Sequence, residues 1–310
     1  MNSFTLNETA LDQPEVSARL FHPRKEGVIS SSAPGLDIMI PVADGVEVGS
    51  RFHMAKPEMP IILFFHGNGE IVSDYDDIGP VYNTLGIGFI PVDYRGYGRS
   101  TGIPSVSVMM KDCHVIFDFT KDWLATHHFT GPLILMGRSL GSASALALAS
   151  AYQKQCDGLI IESGFAYAAP LLRLLGINPD AIGFKEEEGF RNIDKIAAFE
   201  KPTRIIHAEN DHIIPFSDGQ ALYEASPATD KQLIKIPGAN HNDIFFAGGR
   251  NTFRRFRILL PECLWEKGLW KKGSRKNEFT FSRVETLAWM TYDDRSFFPV
   301  VQAASGPNHH

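Results

Sequence analysis

The sequence predicts an α/β fold, a mostly parallel central sheet with helices on both faces. Three observations carry this. Short, fully apolar runs recur along the chain, as in strands buried on both faces. Segments of helical periodicity alternate with them, and strand alternating with helix gives a parallel sheet under helices. Hydrophobic residues make up 44% of the 310 and charged residues 21%, enough to bury a sizeable core and too apolar for a disordered chain.

Taken in order, residues 1–34 are weakly patterned and read as an arm, in part an edge strand. Leu36-Asp37-Ile38-Met39-Ile40 and Val46-Glu47-Val48 then flank Asp44-Gly45, the signal of a β-hairpin. Strands follow at residues 61–65, 88–92, 133–136, 159–161, 204–206 and 232–236. The clearest helical stretches are residues 106–126, 140–153 and 218–225, with a last one at 253–260. The α/β domain is therefore expected over residues 35–260. Residues 261–310 read as an atypical basic tail holding Trp265, Trp270 and Trp289, expected to pack loosely. Its basic stretch at 267–276 reads first as a solvated loop, and second as a surface for acidic partners or anionic lipid.

Composition excludes several functions. A net charge of −6 and a pI near 6.0 argue against nucleic acid as a partner. Cys113, Cys156 and Cys263 are scattered, which fits a reducing compartment. The first 20 residues lack a basic segment followed by an apolar core, and no apolar run approaches the roughly 18 residues of a membrane span. A soluble cytoplasmic protein is expected, with peripheral membrane contact left open. No metal-ligand spacing and no G-x-G-x-x-G fingerprint occur, so no metal and no cofactor are expected.

The pattern G-x-S-x-G occurs twice, at Gly98-Arg99-Ser100-Thr101-Gly102 and Gly137-Arg138-Ser139-Leu140-Gly141. A nucleophile elbow needs a buried strand, a sharp turn and then a helix. Ser139 has both flanks: the run 133–136 before it and a helix of small residues after it. Gly-Ile-Pro-Ser follows Ser100 instead and predicts a loop. Ser139 is the expected nucleophile; its bland alternative is a serine capping a helix.

Five ordered segments over roughly residues 35–250 now carry a resemblance. They are Phe64-Phe65-His66-Gly67-Asn68-Gly69-Glu70, Val92-Asp93-Tyr94-Arg95-Gly96-Tyr97-Gly98-Arg99-Ser100, Gly137-Arg138-Ser139-Leu140-Gly141, His207-Ala208-Glu209-Asn210-Asp211-His212-Ile213-Ile214-Pro215 and Gly238-Ala239-Asn240-His241-Asn242-Asp243. The chain resembles the α/β-hydrolase superfamily, in its serine aminopeptidase-like or acyl-protein-thioesterase-like, depalmitoylase-type branch. The resemblance implies a chain order of nucleophile, acid and histidine. Among the histidines after the acid strand, His212 adjoins the acid and His309 and His310 end the chain. His241 is therefore the expected general base. Glu209 and Asp211 both qualify as the acid by position, and the family pattern selects Asp211. An oxyanion hole is expected from the backbone N–H of Leu140, at its helix start, and by resemblance from that of Asn68. His66, Asp93 and Arg95 are expected to be structural, with substrate contact by Arg95 or Arg99 the minor alternative. Glu70 and Glu162 are given little weight.

Some forty residues separate Glu162 from Pro202, room for a small cap and not a lid domain. Tyr167, Leu171, Leu172, Leu174 and Leu175 would give it an apolar rim, suited to acyl chains. The leading expectation is a serine hydrolase of carboxylic esters or thioesters, with a small-molecule or acylated substrate. The alternatives are a peptidase or acyltransferase with the same triad, or a catalytically silent binding protein of this fold.

Overall fold

The apolar runs assemble into an eight-stranded sheet in the order β1-β2-β4-β3-β5-β6-β7-β8. The computed structural model describes residues 8–27 and 34–244. The strands are β1 (Leu36–Ala43), β2 (Val46–Phe52), β3 (Ile61–Phe65), β4 (Gly88–Val92), β5 (Leu133–Arg138), β6 (Gly158–Glu162), β7 (Thr203–Ala208) and β8 (Lys231–Ile236). β1 and β2 form the expected antiparallel hairpin, with Gly45 taking the left-handed φ of +67° at its turn. β2 meets β4 antiparallel, and every later pair is parallel.

β3 to β7 are buried at every position, which is why they read as continuous apolar runs. Their side chains still alternate. Ile61, Leu63 and Phe65 join one core cluster, whereas Ile62 and Phe64 join the other. The helices are α1 (Glu8–Leu11), α2 (Pro14–Leu20), α3 (Ile78–Thr84), α4 (Val106–Thr126), α5 (Ser142–Ala151), α6 (Ala168–Leu174), α7 (Asn192–Ala197) and α8 (Phe216–Ala225). Buried residues of α4, α5, α7 and α8 belong to the first cluster, and Tyr82 of α3 to the second.

Four elements differ from expectation, one of them α7, which falls in the stretch expected to hold only a small cap. α3 was not expected, because Gly79 and Pro80 interrupt its periodicity. The helix expected from residue 140 begins at Ser142, after a 3₁₀ turn over Ser139–Gly141. Among its described residues, 8–27, the arm forms no strand: it folds into α1 and α2 and then runs extended, with an isolated bridge from Lys25 to Gly98. It also belongs to the core, since Ala10, Leu11, Val16, Leu20 and Phe21 are buried in the first cluster. Short helices with few apolar residues carry too little periodicity to be read alone. The expected helix at 253–260, the boundary near 260 and the tail lie outside the described residues.

The space between β6 and β7 holds α6, a 3₁₀ turn at Glu186–Glu188 and α7. α7 packs on α5 and α8, which leaves α6 and its flanking loops as a small cap. Tyr167 and Leu174 are exposed there. Among the described residues no helix is long and apolar enough to cross a membrane.

Because Leu11 is fully buried, Leu11→Ala is expected to cost about 2–5 kcal/mol, as for other leucine truncations in packed cores. Urea unfolding of the full chain measures it. A loss under half a kilocalorie would mean that the arm is peripheral.

Candidate active site

At the carboxyl end of β5 the chain reverses so sharply that Ser139 takes φ +50°, rare for a residue with a side chain. The flanking glycines make this turn possible. A Cβ at Gly137 would lie 2.3 Å from the Gly141 carbonyl oxygen, and one at Gly141 would lie 2.1 Å from that of Phe65. The Ser142 hydroxyl donates to the Ser139 carbonyl at 2.6 Å, closing the turn into α5. Ser139 remains 9% exposed.

His241 and Asp211 meet Ser139 from two other strand ends. His241 follows β8, and its Nε2 lies 3.0 Å from Ser139 Oγ. Its Nδ1 lies 2.7 Å from Asp211 Oδ2. Asp211 follows β7, and its Oδ1 accepts the N–H groups of Ile213 and Ile214 at 3.0 and 2.8 Å. Asp211 therefore caps its turn and holds the histidine with the other oxygen. Burial alone would raise its pKa, but the His241 bond and these two N–H groups hold it below the usual carboxylate range. Burial lowers the His241 pKa; the Asp211 hydrogen bond opposes this, while the positive Arg138 adds to it. An imidazole kept neutral between an acid and a hydroxyl is equipped to accept the hydroxyl proton.

Leu140 stands directly after Ser139, in the 3₁₀ turn. Asn68 sits in the loop after β3, whose last residue pairs in register with Gly137. Its side chain is fully engaged. Nδ2 donates to the Leu20 carbonyl at 2.6 Å, while Oδ1 accepts from the His22 N–H at 2.9 Å and the Tyr97 hydroxyl at 2.6 Å. The arm therefore clamps this loop, which sequence reasoning missed; no local pattern links residues 20–22 to residue 68.

Other candidates sit elsewhere. Ser100 is fully buried, and its Oγ accepts the Gly49 N–H at 2.9 Å. Glu209 turns outward to Lys235 and the Gly238 N–H, and His212 is exposed. His66 is buried between Asp93 and the Gly67 carbonyl. Arg95 forks onto Asp112 at 2.6 and 2.7 Å, and Arg99 pairs with Glu26 and Asp37. Arg138, Glu70 and Glu162, given little or no weight from sequence, form a charge cluster beside the Ser139–His241 pair in which Arg138 and Glu162 are buried and Glu70 is partly exposed. Their only sequence signal is that they stand at or just past strand ends. Among the described residues no group of three or more His, Cys, Asp or Glu is placed to hold a metal ion.

Comparison with known proteins agrees with this architecture. Residues 56–179 match the serine aminopeptidase S33 family. An uncharacterised protein of Mycobacterium tuberculosis is 27% identical over 260 residues, covering 78% of this chain and 86% of its own length. Mouse alpha/beta hydrolase domain-containing protein 17C is 34% identical over 190 residues, covering 59% of this chain and 54% of the mouse protein. Among solved structures, the Pyrococcus furiosus esterase Pf2001 superposes with a TM-score of 0.62 at 17% identity, covering 77% of this chain and 98% of the esterase. That structural likeness carries the fold, and the family match supports a hydrolase. By its sheet order, its strand–turn–helix elbow and these likenesses, the chain has the α/β-hydrolase fold and is similar to hydrolases of that superfamily.

Proposed function

We propose that the protein is a serine hydrolase that cleaves carboxylic esters or thioesters through an acyl-enzyme on Ser139. The observation that carries this reading is the hydrogen-bonded chain from Ser139 Oγ through His241 to Asp211, on a strained elbow. Ser139 Oγ attacks the carbonyl carbon as His241 Nε2 takes its proton. The tetrahedral oxyanion is received by the N–H groups of Leu140 and Asn68, the first at a helix start where such groups lack intrahelical partners. On collapse, His241 returns the proton to the departing alcohol or thiol. Water then enters by the same base catalysis and frees the acid. The exposed Tyr167 and Leu174 of the small cap support an acylated substrate. The match to a serine aminopeptidase family favours a second reading, peptide cleavage by the same groups. A panel of p-nitrophenyl esters, acyl thioesters and aminoacyl p-nitroanilides separates the two; ester and thioester turnover well above anilide turnover is expected.

Ser139→Ala is expected to remove ester turnover by roughly 10⁶-fold, down to background, while Ser100→Ala keeps most of it. Steady-state assays decide, and turnover that survives Ser139→Ala would exclude Ser139 as nucleophile.

Asp211→Asn is expected to lower kcat by up to about 10⁴-fold while the fold persists, because an amide stabilises the wrong histidine tautomer. Glu209→Gln, on an exposed group, is expected to cost less than about threefold. A larger loss at Glu209 would reassign the acid.

The base must be neutral to accept a proton, and the His241 pKa lies below its ordinary 6.5. The main acidic limb of kcat/KM is therefore expected below pH 6.5, activity falling as His241 becomes protonated. A pH profile with its main inflection above 7 would contradict this.

A further inference from the structure

Arg138 occupies the residue before Ser139 and is buried, with 8% of its side chain exposed. Its guanidinium touches three chain segments. Nη2 donates to the His241 carbonyl at 2.8 Å. Nη1 lies 3.3 Å from Glu70 Oε1, and Nε lies 3.2 Å from Glu162 Oε1 at the end of β6. Glu70 in turn accepts the Gly67 N–H at 2.6 Å and the Tyr75 hydroxyl at 2.6 Å. We propose that Arg138 is a positioning residue for the Ser139 chemistry, fixing the His241 backbone directly and the Gly67–Asn68 turn through Glu70, with Glu162 as its counter-charge. The proposal rests on the hydrolase reading above.

The electrostatics explain why one cation needs two acids here. A buried charge is costly unless paired and hydrogen-bonded. The Arg138 charge also opposes the imidazolium that must form on His241 during turnover. Glu70 works the other way and favours it. Arg138 with one ionised acid is neutral, and with both it carries a net negative charge toward the imidazolium. Glu162 is the acid that can switch between these states. Around it stand Arg138 of β5, Glu70 of the β3 loop, Tyr75 of the 3₁₀ turn at Val72–Tyr75, and Tyr82 of α3; Ile206 of β7, its register partner, is apolar. Burial pushes its carboxyl up to about 7 against the pull of Arg138. The Glu162 Oε1 approach to Arg138 lacks hydrogen-bond geometry, so the ion pair gives Glu162 only partial compensation. Glu70 is held below the usual carboxylate range: burial opposes its charge, but Arg138, Tyr75 and the Gly67 N–H outweigh it.

The test is the rate at which a fluorophosphonate labels Ser139 in the full chain, measured from pH 5 to 9, with thermal unfolding as the check on folding. The variants are Arg138→Met, Arg138→Lys and Glu162→Gln. Wild-type labelling is expected to rise with pH in two steps, a large one from His241 and a smaller one near pH 7 from Glu162. Arg138→Met is expected to label roughly 10²-fold more slowly, the scale of an ångström's misplacement at a reacting centre, with Arg138→Lys recovering part of the rate. Glu162→Gln is expected to lose the step near pH 7 and to label several-fold more slowly above it. Should Arg138→Met fail to fold, the Glu162→Gln profile decides. A wild-type chain that labels while Glu162→Gln keeps both steps and the full rate overturns the positioning proposal alone. A folded wild-type chain that takes no label overturns the hydrolase reading, and this proposal with it.

Discussion

The close approach of Gly141 to the carbonyls of Phe65 and His66 is the contact on which the site depends. It lets the start of α5 sit against the end of β3, so that β5 can turn abruptly at Ser139. Gly137 allows the same turn from its other side, against Gly141 and Ser142. With no room for a side chain at either glycine, the serine backbone is driven into a left-handed conformation that the surrounding sheet over-determines. The hydroxyl is thereby presented at the carboxyl edge of a parallel sheet, where the loops after β3, β7 and β8 also converge. Ligands of open α/β sheets bind at this edge.

Fixing the serine matters only if its partners are equally fixed, and each is held by more than one bond. Asp211 spends one oxygen on two backbone N–H groups and the other on His241. His241 is held at its ring by Asp211 and at its carbonyl by Arg138. The Asn68 turn is held from outside by the arm and from inside by Glu70. The Arg138–His241 and Ser139–His241 bonds are buried, and there geometry set by folding costs no rearrangement during reaction.

Much of this was legible in the sequence, for identifiable reasons. β3 to β7 could be read because burial on both faces demands unbroken apolar runs. Ser139 could be separated from Ser100 because only one copy of the motif joins a strand to a helix, and the structure buries Ser100 against Gly49. Choosing Asp211 over Glu209 needed the family pattern; the structure gives Asp211 the His241 contact and turns Glu209 outward. The arm was not legible. Its helices α1 and α2 have four and seven residues, and their place is set by contacts with residues 68, 97 and 107, far away in sequence. Arg138, Glu70 and Glu162 were passed over for the same reason. A charge beside a strand end reads as solvated until the fold shows that three such charges meet in one largely buried place.

The central claim is that Ser139 attacks a carbonyl whose oxygen is received by Leu140 and Asn68. A crystal structure of the chain after reaction with an alkyl fluorophosphonate tests it most directly, because the tetrahedral phosphorus mimics the intermediate. The expected result is phosphorus bonded to Ser139 Oγ, with its oxygen within about 3.1 Å of both backbone nitrogens. An adduct on another residue, or a phosphonyl oxygen turned away from the Asn68 loop, would contradict it.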